Sequence, residues 1–123
     1  MPLPIGTWKI TVNGAEGALE INEAGGLVTG LLMTEAIDGS WNETAQCLSF
    51  VSLAQLSATA FQFRGFYVGY LFSTPRAVQP GQDILWTLCG VVHATPQVES
   101  PAYGQAHPLR NVFGWHAQRG QVL

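Results

Sequence analysis

The stretch FRGFYVGYLF, residues 63–72, decides how this chain is read. A strand with one face in water alternates apolar and polar residues. Here seven of ten positions are apolar or aromatic, two are glycine and one is Arg64. Both faces of such a strand are greasy, and both need cover. Helical periodicity is weak along the rest of the chain, whereas period-two runs recur.

Working outward, Gly6–Val12 places Trp8, Ile10 and Val12 on one face, and Asn13-Gly14 is a strong hairpin signal. Gly17–Asn22 follows, then Ala24-Gly25-Gly26 turns into Leu27–Thr34. Strands are expected next at Ile37–Asn42, Gln46–Leu53, Ala58–Phe72, Asp83–Ala94 and Asn111–Gln118. No proline falls between residues 5 and 74, and proline is excluded from central strands. The prolines at 75, 80, 96, 101 and 108 mark later loops. About eight short strands joined by tight turns predict an all-β, antiparallel, up-and-down barrel, with residues 1–123 as one domain. Closure also removes exposed edges.

Composition excludes several functions. Charged residues are 11 % of the chain, against about 25 % in typical soluble domains. Between Thr44 and Gln82 the only charges are Arg64 and Arg76. The net charge of −3 leaves no electrostatic footprint for nucleic acid. No run of 18 apolar residues predicts a membrane span, and the start MPLPIG shows no signal peptide. A cytoplasmic protein is expected, or a secreted one if the chain is a processed form. There is no G-x-S-x-G elbow, no phosphate-cradling glycine loop and no inward acid/base dyad. Only one of His93, His107 and His116 has inward parity, which argues against a three-histidine metal site. No cofactor and no catalytic residue is expected.

The ordered strands resemble the avidin family of biotin-binding, eight-stranded barrels. GTWKITVNG (6–14), GGLVTGLL (25–32), IDGSWNE (37–43), FRGFYVGY (63–70), ILWTLCG (84–90) and VFGWHAQ (112–118) are similar, in order, to that family's strands. Single motifs of this kind also occur in the wider calycin group. The resemblance implies a lumen ligand and packing of barrels by their outer walls. The family's polar biotin readers are not retained: their positions fall on Ile10, Gly14, Leu32 and His116. Burying a ureido oxygen unpaired costs roughly 2–7 kcal/mol, so biotin binding no tighter than micromolar is expected.

The resemblance also assigns faces. It turns Trp8, Ile10, Leu32, Thr34, Cys47, Ser49, Phe61, Phe63, Tyr67, Trp86 and His116 inward, with Gly30, Gly65, Gly90 and Gly114 beside them. All of these except Cys47 and the glycines are the candidate ligand-binding residues. The opposite parity exposes Phe50, Phe66, Val68, Tyr70, Leu85 and Trp115, among others, as a candidate interface. So large an apolar patch is not left in water, and a second copy of the chain is the expected cover, giving a dimer or tetramer. Arg64 would then seek a carboxylate or carbonyl. Cys47 (inward) and Cys89 (outward), with a strand between theirs, are expected to be free and fairly buried.

The expected function is a non-enzymatic binding barrel for a small, largely apolar ligand. The alternatives are a structural or protein-interaction barrel with a filled core, an isomerase or cyclase without short motifs, and a carbohydrate binder using Trp41 and Tyr103.

Overall fold

Tight turns between period-two strands close this chain on itself. The computed structural model describes residues 1–55, 61–75, 84–94, 97–100, 105–108 and 111–121. Seven strands come first: β1 (Gly6–Val12), β2 (Ala15–Ala24), β3 (Leu27–Leu32), β4 (Glu35–Asn42), β5 (Cys47–Gln55), β6 (Phe61–Pro75) and β7 (Ile84–Ala94). A hairpin of β8 (Gln97–Ser100) and β9 (Gln105–Pro108) intervenes before β10 (Asn111–Gln121). Strands β1 to β7 and β10 form a closed antiparallel barrel in sequence order, β10 pairing with both β7 and β1. The expected fold class holds. The β8–β9 hairpin lies in what the sequence suggested was a plain loop.

The hairpins explain the order. Asn13 and Gly14 have φ of 47° and 81°, and Gly25 and Gly26 have 59° and 88°. These left-handed pairs match the twist of the flanking strands. The β4–β5 turn is held by Asn42, whose Oδ1 accepts from the Ala45 N–H at 3.0 Å, with Gln46 at φ 54°.

One end of the barrel is sealed. Leu3 is buried, and the Trp8 Nε1–H donates to the Pro4 carbonyl at 3.1 Å. The Met1 amino group lies 3.0 Å from Glu43, and Gln46 donates to the Met1 carbonyl at 2.9 Å. Trp41 donates to the other Glu43 oxygen at 2.6 Å. That indole bond, then the Met1 amino group, hold the Glu43 carboxyl below its ordinary range. Above this seal Trp8, Ile10, Leu19, Ile21, Val28, Trp41, Leu48, Leu71, Trp86 and Leu88 are buried together.

Two strands face opposite to expectation. Residues paired directly across a ladder share a face. Trp41 pairs with Leu48 and Gly39 with Phe50, so Leu48, Phe50, Ser52 and Ala54 turn inward. Ser49 and Cys47 therefore belong to the outer parity and are half-buried. Apolar residues occupy both parities of 47–54, so alternation does not choose, and the β4–β5 turn does. On β10, Trp115 (3 % exposed), Ala117 and Phe113 turn inward, while His116, Gly114 and Val112 lie outside. Phe50 and Trp115 are thus core residues and not interface residues. Ser49 and His116 are not lumen residues. Trp41, considered as a loop aromatic, is buried at the end of β4, and Tyr103 lies outside the described residues.

The reason for the β10 inversion is space. Trp115 pairs with Gly90, which pairs with Gly69. The indole crosses beneath β7 to β6 and donates to the carbonyls of Val91 (3.1 Å) and Val68 (3.3 Å). A Cβ at Gly69 would overlap the indole, and one at Gly90 would run into the Val68 carbonyl. Phe50 and Tyr67 stack with ring centroids 4.6 Å apart, and both meet Trp115 edge-on.

Both cysteines are free, as expected, but for one of the two stated reasons. Strand β6 does separate their strands, yet both pair with Tyr70 in one outer row. Cys47 is half-buried and Cys89 is exposed rather than buried.

The Gly69→Ala substitution is expected to destabilise the barrel by about 1–3 kcal/mol, the usual cost of overpacking. Gly114→Ala, which meets only the Gly90 carbonyl at 4.0 Å, should stay within about 0.5 kcal/mol of the parent. Urea denaturation of the two variants side by side checks the pair, and equal midpoints would refute the slot.

Candidate functional site

At the other end of the barrel the described residues leave a space in the lumen. Here the β1–β2 and β3–β4 turns meet the start of β6, and the chain leaves the wall at Ala94 and rejoins it at Asn111. A cavity of about 440 Å³ occupies this mouth. Val12, Ala15, Leu32, Met33, Ala94 and Phe113 give it apolar walls. Thr34, Glu35, Ser52, Arg64, Tyr67 and Asn111 supply its polar groups. Ligand cavities usually run about 300–1,000 Å³ with a few placed polar groups among apolar ones.

Each polar group has a structural origin. Ser52 reaches the lumen because β5 is inverted, and only 2 % of it is exposed. Tyr67 comes from the inward parity of β6 and is 8 % exposed. The Ser52 hydroxyl lies near the Tyr67 phenol, and both line the cavity. The stack on Phe50 and the edge contact with Trp115 fix the Tyr67 ring beneath the cavity. Arg64 sits at an irregularity in the β5–β6 ladder, where Ser52 pairs with Gly65 but Leu53 with Phe63. Its Nε lies 3.8 Å from Glu35, the carboxylate partner that its isolation called for. Both partners are substantially solvent-accessible, so the pair contributes little to stability, about 0–1 kcal/mol.

Met33 is a bulky residue at φ 56° in the β3–β4 turn. A non-glycine residue there costs about 1–2 kcal/mol. Its backbone N–H donates to the Ala18 carbonyl at 2.8 Å, and its side chain covers Gly17 at the cavity edge.

Of the ten expected ligand-binding residues, Leu32, Thr34 and Tyr67 line the mouth cavity. Trp8, Ile10 and Trp86 face the lumen but are packed into the core below it. Ser49 and His116 belong to the outer wall. The side chains of Phe61 and Phe63 lie outside the described residues. Ser52, Glu35, Arg64, Asn111 and Phe113 line the cavity without having been foreseen there. Only Arg64 and Glu35 carried a signal, as charges in a chain that has few. Among the described residues no three His, Cys, Asp or Glu gather as a metal-holding group.

Of the expected interface residues, Phe66 and Tyr70 are exposed on the outer wall, and Val68 and Leu85 are half-buried. Val91 and Val112 join them, at 44 % and 52 % exposed.

Burial raises the Tyr67 pKa above the ordinary 10.0, and the nearby Glu35 carboxylate adds to this, against the nearby Ser52 hydroxyl. The sign follows from linkage. The unfolded phenol ionises from about pH 10, while the folded one holds its proton. Stability that is complete below pH 10 is therefore lost as pH rises toward the folded pKa. Tyr67→Phe should flatten this alkaline decline, as read by urea midpoints at about pH 8 and about pH 11. An unchanged slope would count against a buried phenol.

Compared with protein-family models, curated proteins and solved structures, the chain matches none.

Proposed function

We propose that this chain is a binding barrel that takes a small, largely apolar molecule into its mouth cavity and associates with copies of itself through its outer wall. The observation that carries the first half is the mouth cavity, apolar in its walls and provided with a buried hydroxyl pair. The sealed, side-chain-filled end restricts the site to the upper lumen, where a filled barrel would need no cavity. The strained Met33 at the cavity edge supports the same reading, since such strain collects at ligand sites. The resemblance to avidin barrels supports a mouth-bound ligand as well. Ile10 faces inward from the filled core and Leu32 lines the cavity, and neither brings a donor for biotin.

The second half rests on the outer wall of β5, β6, β7 and β10. Val51, Phe66, His93 and Val112 form one cross-strand row. Ser49, Val68, Val91 and Gly114 form the next, and Cys47, Tyr70, Cys89 and His116 the third. None of these rows holds a lysine, arginine, aspartate or glutamate. A face without charge meets its own copy with no ion to desolvate.

Two measurements test the halves separately. Nile red should saturate at one per chain, and Ala94→Trp, which fills the mouth, should abolish this while leaving the fold intact by circular dichroism. Unchanged saturation in that variant would move the site elsewhere. For the wall, light scattering at micromolar concentration should give a multiple of the chain mass, and Phe66→Glu should reduce it to one copy. A monomer mass for the parent chain refutes the association.

A further inference from the structure

We propose that the mouth cavity selects an uncharged ligand presenting an acceptor oxygen, of the kind a ketone carries, to the Ser52–Tyr67 hydroxyl pair. This rests on reading the cavity as a ligand site. Two hydroxyls bring hydrogens to donate, from a cavity floor that is 2 % exposed at Ser52 and 8 % at Tyr67. An apolar molecule seated on that floor would leave a buried donor unmade, which a site rejects strongly. A ligand oxygen makes the bond.

The ring geometry makes the pair a fixed reader. Tyr67 is held by its stack on Phe50 and by the Trp115 edge, and Trp115 is itself pinned to two backbone carbonyls. Little side-chain freedom is then lost on binding. The phenol stays neutral under burial and beside Glu35, so it donates at physiological pH.

Charge narrows the class further. The charged groups lining the cavity are Glu35 and Arg64, paired at 3.8 Å across its rim. They cancel at a distance. An anion at the floor would meet the field of Glu35, and a cation would meet a pair whose hydrogen is a donor. The remaining lining is apolar or neutral.

The test compares 2-indanone with indane, which match in shape and differ in the carbonyl. Each is titrated into the full chain by isothermal calorimetry, and the carbonyl stretch of bound 2-indanone is read by infrared spectroscopy. The ketone should bind about tenfold tighter or more, with its stretch shifted to lower frequency than in an apolar solvent. The double variant Ser52→Ala, Tyr67→Phe removes both donors and should bring the two affinities together. Either single variant keeps one hydroxyl and should keep part of the preference. Equal affinity for the parent chain, or an unshifted carbonyl, overturns this inference and leaves the binding site standing. If neither compound binds below millimolar, the site and the inference fall together. The infrared reading uses the parent chain and holds even if the double variant does not fold.

Discussion

The barrel is organised around one indole. Trp115 lies across the inner surface of three strands, over Gly90 and against Gly69, with its N–H shared by the carbonyls of Val91 and Val68. A ring of this size buries on the order of 150–250 Å² and needs a partner for its N–H when covered. Both needs are met by backbone, because glycine leaves the wall thin where the ring passes. Phe50 and Tyr67 then pack on the indole, and Tyr67 carries the floor of the cavity. Core packing and site are one arrangement: the residue that fills the middle of the lumen also aims the phenol above it.

The two ends of the lumen differ for reasons of local chain. At the sealed end the segment before β1 folds in, with Leu3 buried and Met1 tied to Glu43 and Gln46. Trp8 and Trp41 fill the space above it and satisfy their N–H groups on Pro4 and Glu43. At the mouth the β1–β2 and β3–β4 connections are two-residue turns, and the Met33 backbone is held to Ala18. Turns this tight have no chain to spare for a plug on the β1–β4 side, where the described residues leave the cavity.

How much of this was legible depended on whether a signal was local. The strands and their order followed from Asn13-Gly14, Gly25-Gly26 and the distribution of prolines, and β1 begins and ends where expected. The expected faces of β1, β3 and β7 came from the resemblance, carried along each strand by parity, and Trp8, Val28 and Trp86 are buried as expected. Strands β5 and β10 were not legible in this way, because CLSFVSLA and VFGWHAQ carry apolar residues on both parities. Their orientation is set elsewhere: for β5 by the turn that pairs Asn42 with Cys47, for β10 by glycines on two other strands. The site inherited that limit. Tyr67, Leu32 and Thr34 were foreseen from strands read in the right sense or from the turn beside them. Ser52 was not, since its strand was read inside out. Arg64 was recognised as a charge in want of a partner, and Glu35 became that partner only through the register of the closed sheet.

The greasy strand with which the reading began divides cleanly by parity. Gly65, Tyr67, Gly69 and Leu71 face the lumen, and Phe66, Val68, Tyr70 and Phe72 face out. The inward set looks sparse because Gly69 gives up volume to Trp115, a residue of another strand, and Gly65 to the Tyr67 ring and Val92. The outward set is large because nothing in the described chain covers it. Charge follows the same division around the wall. Lys9, Glu16, Glu20 and Asp38 lie exposed on β1, β2 and β4, while the three central outer rows of β5, β6, β7 and β10 have none. Because side chains alternate strictly along a strand, a change at Phe66 or Val68 alters the wall and leaves the lumen's composition as it was. One strand therefore carries two surfaces that physics allows to be altered one at a time: the phenol on the cavity floor, and the outer rows without lysine, arginine, aspartate or glutamate.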